Sequence, residues 1–374
     1  MLVLLAFVSF VEAAACFYLA SKAHWNDAVY QIRRLQTSGQ VGYFYKAPDQ
    51  HQIFDALGFK RSRWSVLTPR QDSHKKTFRV LILGGSAVAG SERVVGGDWP
   101  DIVESLLIQH NPDLQITVVN GGVWGGISAT ERRQLFNVRH YDFDLLVLYT
   151  GYNDLYYDAF HHHQYLHDLA LTQRSLSPLG KAWYFMREHS VALSLVAEAY
   201  QVRRIHRALA KAPLQALEVP DPLHWSDATR EQLLTAVDQQ VSDTLQMAQD
   251  RQLPVYLLFQ ANATYTRKFR ALSRDEETML ATALGAQQNY WTQTVTWVYP
   301  ALEERMRHIA ARFPNVTYLD FNQVSHHYQS MFYDDVHFGS GGMKIVGSKI
   351  ATGIQIGYLK RGLNGWTDYA QVYK

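Results

Sequence analysis

The chain has 374 residues, 47% hydrophobic and 19% charged, a balance that excludes a disordered chain and allows a substantial core. A formal net charge of +2, with Lys and Arg scattered along the chain, gives no electrostatic case for nucleic-acid binding. The single cysteine, Cys16, excludes an intramolecular disulfide and any metal site built from several thiolates.

Residues 1–21 open the chain as an almost wholly apolar segment, broken by Glu12. About 20 apolar residues suffice to cross a bilayer as a helix, so a membrane anchor is the expectation. A cleaved signal before Ala13-Ala14-Ala15, a lipidated Cys16 and a buried helix are the competing readings. Glu12 is costly in hydrocarbon and asks for a partner within the membrane. Lys22, Arg33 and Arg34 favour a cytoplasmic placement of the next stretch, which conflicts with a periplasmic or extracytoplasmic domain. Residues 22–77 read as a connecting arm.

An α/β alternation then begins and defines the domain expected at 78–360. The apolar run 78–83 ends at Gly84-Gly85, as a buried parallel strand should. Residues 99–110 have helical spacing, with Pro100 at the start. The spacing predicts a strand at 115–119 and a helix at 128–138, with Ser128 as cap and Glu131 at capping-box distance. A third strand is expected at 144–149. The stretch 155–252 reads as a helical insertion capping the sheet edge, most periodic at 191–212 and 228–250. Strands follow at 254–259 and 316–320, with helices at 302–313 and 343–359 and a tail at 361–374. Strands alternating with helices imply a three-layer α/β/α sandwich around a parallel sheet.

Ligands of such a sheet bind beyond the carboxyl ends of its strands, where small and polar residues gather in this chain. Gly84-Gly85-Ser86 follows the first strand and exposes a hydroxyl on a tight turn. Asn120 to Gly126 follows the second, Gly151-Tyr152-Asn153-Asp154 the third, and Asp334-Asp335-Val336-His337 precedes the final helix. One loop can thus present both an imidazole base and the carboxylate that orients it, while glycine-turn N–H groups and an Asn side chain can hold an oxyanion.

These four segments resemble the sequence blocks of the SGNH (GDSL-type) hydrolases, a superfamily of esterases, lipases, thioesterases and carbohydrate deacetylases. The resemblance covers roughly residues 78–154 and 254–358. It implies a flavodoxin-like sheet and no cofactor. It further implies Ser86 as nucleophile, His337 as base then acid, and Asp334 as its orienting partner. Ser86 N–H, Gly125 N–H and the Asn153 side chain would form the oxyanion hole, with Gly121, Gly122 and Gly126 as alternatives to Gly125. The family's usual Asp before the serine is Gly85 here, so the turn must be held differently. The implied activity is an O-acyl esterase or acyltransferase. Membrane-tethered members of the family point to an O-acetyl group on an envelope polysaccharide as substrate.

Other residues need weighing. Asp335 is an alternative partner for His337, although the D-x-x-H spacing favours Asp334. Trp124 and Tyr152 are candidate substrate-binding residues, as pocket wall and subsite lining, with Tyr156 and Tyr157 nearby. Packing under the helical insertion is the competing reading of the tyrosines. His161-His162-His163 and His167 lack an acidic partner pattern and are not taken as a metal site. His326 and His327 precede the catalytic loop and either shape the pocket or lie at the surface. A second function is a catalytically inactive membrane-associated subunit that keeps the fold, suggested by Gly85 and Glu12.

Overall fold

The computed structural model describes residues 10–14, 76–90, 97–139, 141–160, 226–285, 288–360 and 362. Apolar residues run consecutively through the buried parts of its central strands, which fits burial on both faces. β1 (Lys76–Gly84), β2 (Leu114–Gly122), β3 (Leu145–Thr150), β4 (Val255–Phe259) and β5 (Val316–Asp320) form one five-stranded sheet in the order β2-β1-β3-β4-β5. Every pairing is parallel. Alternate side chains feed opposite layers, as the pleat requires. Leu81, Leu83, Leu146 and Leu148 join one core, and Val80, Ile82, Leu145 and Val147 join the other. The result is a three-layer α/β/α sandwich.

The second core packs α1 (Ser86–Ala89), α2 (Trp99–His110) and the C-terminal helix through Val88, Trp99, Val103 and Ile350. The first packs α3 (Ser128–Asn137), α4 (Tyr152–Phe160) and α5 (Asp227–Asp250). After β4 come α6 (Ala263–Thr266), α7 (Arg274–Leu284) and α8 (Gln288–Ala311). After β5 come α9 (Phe321–Ser325) and α10 (Ser340–Gly357), the last elements among the described residues.

Four expectations are corrected. The described part of the insertion is not a cap over the sheet edge. In α5, Leu233, Val237, Val241 and Leu245 form a stripe in the first core, so this helix is one of the covering layer. The helix expected at 302–313 begins at Gln288 instead. Pro300 lies inside it, and the buried stripe Trp291, Val295, Val298 and Tyr299 carries the helix through that interruption. β2 runs on through Asn120-Gly121-Gly122, which pair with Ile82, Leu83 and Gly84. Ser128 is not the cap of α3. Ile127 holds that position, its N–H donating to Thr130 Oγ1 at 3.2 Å.

Among the described residues no helix is long and apolar enough to cross a membrane. The expected anchor enters that description only at residues 10–14, which are helical. The arm, apart from Lys76 and Thr77, the helical piece at 191–212 and the tail, apart from Gly362, lie outside the described residues.

Asp320, the last residue of β5, caps α9 by accepting from Asn322 N at 2.9 Å and Asn322 Nδ2 at 3.0 Å. Burial, followed by the charge of Glu303, pushes its pKa up from 3.8 to about 6. Folding therefore takes up a proton between these values, so stability falls as pH rises through the window and stays lower above it. Asp320→Asn keeps an acceptor for Asn322 and carries no charge. It is expected to be more stable than wild type by roughly 1–3 kcal/mol at pH 8, the advantage shrinking towards zero below about pH 4. Urea unfolding at both pH values measures this.

Candidate active site

The sheet order reverses between β1 and β3, with β2 to one side and β4 and β5 to the other, and ligands of open α/β sheets bind at such a switch point. Ser86 stands at the end of β1, as the first residue of α1. That short helix is tied down from two sides. Trp99 Nε1 donates to Ala87 O at 2.8 Å, and Asn120 Nδ2 donates to Val88 O at 3.0 Å. Ser86 is 8% exposed, so its hydroxyl has a defined setting.

His337 arrives on a loop closed upon itself. Gly339 N donates to Met331 O at 2.8 Å, Tyr333 N donates to His337 O at 3.0 Å, and Phe332 bridges to Phe338. At its tip, His337 Nε2 lies 2.7 Å from Ser86 Oγ, and His337 Nδ1 lies 2.6 Å from Asp334 Oδ2. Asp334 Oδ1 accepts from Val336 N at 2.9 Å and His337 N at 2.7 Å. Burial acts to raise the Asp334 pKa, but the bonds from the His337 ring and the two amides outweigh it and hold the carboxyl below its usual value. An ionised Asp334 fixes Nδ1 as the protonated nitrogen and leaves Nε2 to face the serine.

Asp335 is not that partner. Its carboxylate, 4% exposed, points away from His337 and accepts hydrogen bonds from Tyr152, Asn262, Thr264 and Trp291. Tyr152 is accordingly corrected from subsite lining to core. It is 5% exposed, its hydroxyl bonds Asp335 at 3.1 Å, and its ring packs on Tyr156 and Trp291.

Asn153, one residue on, faces the Ser86 turn. Its Nδ2 donates to Gly126 O at 2.6 Å, a bond that orients the amide and uses one of its two N–H groups. The second N–H is the candidate oxyanion donor. Asn153→Ala is expected to lower kcat by about 10²- to 10³-fold with KM nearly unchanged, read from steady-state kinetics. Among the glycines of the second block, Gly126 N donates to Val123 O at 2.8 Å and Gly122 N donates to Asn120 Oδ1 at 3.0 Å. Gly121 belongs to the β2 ladder. Gly125 stands at the corner of the Val123–Gly126 turn with a φ of 66°, a left-handed value that favours glycine.

The departure at Gly85 has a steric reason. A Cβ there would collide with Asn153 Nδ2 and approach Gly126 O to 3.1 Å. A side chain at this position would have to displace the Asn153 amide from its bond to Gly126 O. Gly85→Asp is expected to lower kcat by about tenfold or more rather than raise it. A wild-type kcat in that variant would mean that Asn153 yields without consequence.

Asp154 and Tyr333 carry roles that the spacing does not reveal. Asp154 accepts from Ser128 Oγ at 2.6 Å and Ser128 N at 3.1 Å, which ties α4 to the segment just beyond Gly126. Behind it Glu131 is buried, and burial followed by the Asp154 charge raises its pKa well above the usual carboxylate range. Tyr333 is 55% exposed and stacks on His337, ring centroids 5.6 Å apart and planes 13° off parallel. Trp124, 38% exposed, projects from the Val123–Gly126 turn. His326 stacks on Phe269 at 4.0 Å, and burial, then His327, pushes its pKa down to about 4. His161, His162, His163 and His167, and the Tyr157 side chain, lie outside the described residues. Among the described residues no cluster of His, Cys, Asp and Glu could hold a metal ion.

No family model and no curated protein matches the sequence. Solved structures are similar in fold. An acetyl xylan esterase, AlAXEase, is 12% identical with a TM-score of 0.42, over 74% of this chain and 100% of its own. Axe2, an acetylxylan esterase from Geobacillus stearothermophilus, is 14% identical with a TM-score of 0.37, over 76% of this chain and 96% of its own. A lipolytic G-D-S-L family protein from Veillonella parvula is 12% identical with a TM-score of 0.37, over 74% of this chain and 97% of its own. The β2-β1-β3-β4-β5 sheet, with the Ser86 turn after β1, Asn153 after β3 and the Asp334–His337 loop before α10, gives the chain a three-layer α/β/α fold with these residues beyond the carboxyl ends of its strands.

Proposed function

We propose that the protein hydrolyses or transfers an O-acyl group through a covalent acyl-Ser86 intermediate. The observation that carries this reading is the Ser86 Oγ–His337 Nε2 contact of 2.7 Å, with Asp334 on the far nitrogen. In the first half-reaction Ser86 Oγ attacks the acyl carbon while its proton passes to His337 Nε2. The imidazolium is stabilised by Asp334, and the oxyanion is met by Asn153 Nδ2–H and the N–H groups of Ser86 and Gly125. Collapse expels the alcohol, which takes the proton from His337. Water or an acceptor hydroxyl then attacks the acyl carbon while giving its proton to His337, and collapse breaks the bond to Ser86 Oγ, which takes that proton back as the acid or new ester leaves. An inert subunit would not require an ordered triad, so the same contact counts against that alternative.

The substrate we infer is an acetyl ester of a carbohydrate, with Trp124 as an exposed ring face beside the oxyanion turn. The same reading places the domain outside the cytoplasm, tethered by residues 1–21. Protease added to membrane vesicles of known orientation tests that placement, since digestion in inside-out vesicles alone would oppose it. Turnover of p-nitrophenyl acetate, butyrate and octanoate by the full-length chain tests the chemistry. Acetate should be preferred, and added xylo- or manno-oligosaccharide should divert acyl groups from water if transfer occurs. Failure to turn over any of these esters or an acetylated oligosaccharide would oppose the proposal.

A further inference from the structure

We propose that Asp335 is a positioning residue for the catalytic base, acting through a buried hydrogen-bond nest that sets the loop carrying Asp334 and His337. The inference rests on the acyl-Ser86 reading for its kinetic consequences, but its structural consequence stands apart.

The nest joins the Asp335 loop to three other parts of the chain. Asp335 Oδ1 accepts from Thr264 N at 3.0 Å and Thr264 Oγ1 at 2.5 Å. Oδ2 accepts from Asn262 Nδ2 at 2.8 Å, Tyr152 hydroxyl at 3.1 Å and Trp291 Nε1 at 2.5 Å. The backbone joins in, with Ala263 N donating to Asp335 O at 2.8 Å. Asn262 is itself fixed, its N–H donating to Asn322 Oδ1 at 3.0 Å and its Oδ1 accepting from Tyr265 N at 2.8 Å. Five donors on one buried carboxylate are a costly arrangement, since each loses a partner if the carboxylate goes.

The location explains its use. Asp334 and Asp335 are consecutive, one turned to His337 and the other into the nest. The Met331–Gly339 loop is closed at its base, so displacing Asp335 displaces Asp334 and His337 with it. Tyr152 adds a second link. It shares the first turn of α4 with Asn153, whose amide holds Gly126, and with Asp154, which holds Ser128. One helical turn thus connects the base loop to the oxyanion turn, and Asp335 is the point where the base loop is attached. An approach such as His337 to Ser86 is sensitive to shifts of about 1 Å, which can cost about 10²-fold in rate.

Two variants of the full-length chain test this. Asp335→Asn keeps the shape but sets an NH2 group against N–H donors. Trp291→Phe removes one donor and leaves the carboxylate, so it decides the matter should Asp335→Asn not fold. Three readouts apply: kcat and KM for p-nitrophenyl acetate, the rate of Ser86 labelling by a fluorophosphonate, and the low-field proton resonance of His337 Nδ1–H. Asp335→Asn is expected to lower kcat and labelling about 10- to 100-fold with KM within about twofold, and to shift or broaden the resonance. Trp291→Phe should do the same by about three- to tenfold. A folded variant that loses thermal stability, yet keeps kcat, labelling rate and resonance, would reduce Asp335 to a structural residue and overturn the proposal. If the wild type neither turns over the ester nor labels, the acyl-enzyme reading fails. The resonance in wild type and Trp291→Phe still decides whether the nest positions His337.

Discussion

Ser86→Ala is expected to lower kcat for an acyl ester by about 10⁴- to 10⁶-fold while leaving the protein folded. The hydroxyl is small, and the bond it loses is the one to His337 Nε2 at 2.7 Å. Its net contribution to stability is about 1 kcal/mol, whereas the catalytic loss corresponds to about 5–8 kcal/mol of transition-state stabilisation. The anchors of α1, Trp99 on Ala87 O and Asn120 on Val88 O, are untouched. KM should change little, because the oxyanion donors and Trp124 remain. Steady-state kinetics with circular dichroism on the same sample separate the two effects.

His337→Gln is expected to cost about as much, roughly 10⁴-fold or more in kcat, for a different reason. Ser86 keeps its hydroxyl but loses the group that takes its proton. Asp334 still accepts from the amides of residues 336 and 337, so the loop is retained even though Oδ2 loses the ring at 2.6 Å. Groups that act as a unit are non-additive. The Ser86→Ala/His337→Gln double variant should therefore be no slower than the slower single variant, within about threefold. Multiplying losses would mean that the two residues act independently, which the 2.7 Å contact does not allow.

Much of this arrangement is legible in the chain because buried parallel strands announce themselves. Val80-Leu81-Ile82-Leu83 is apolar at every position, and glycines mark where it ends. Once strand ends are located, the polar residues beyond them are the ones a parallel sheet presents at its binding edge. Ser86 and His337, singled out in the sequence, are brought into contact by the fold, and Asn153 is brought against Gly126 beside them. The misreadings have local causes. Tyr152 and Asn153 are neighbours, but successive helical residues diverge by about 100°, so one enters the core while the next faces Gly126. Position after the third strand does not distinguish them. The helix expected at 302–313 begins at Gln288, and the missing turns carry Trp291 and with it part of the nest around Asp335. Tyr333 has no pattern of its own, since its stacking on His337 depends on the closure of the Met331–Gly339 loop. The crowding at Gly85 is visible only in three dimensions, because the atom a Cβ there would meet, Asn153 Nδ2, lies far along the chain.

The central claim is that Ser86 carries the acyl group, and mass spectrometry of the chain during p-nitrophenyl acetate turnover tests it most directly. Acid quenching in the steady state followed by peptide mapping should find one acetyl group on the peptide containing Ser86, absent from Ser86→Ala and more abundant in His337→Gln relative to its turnover. Turnover with no acetyl on Ser86, or equal turnover in Ser86→Ala, would contradict the account.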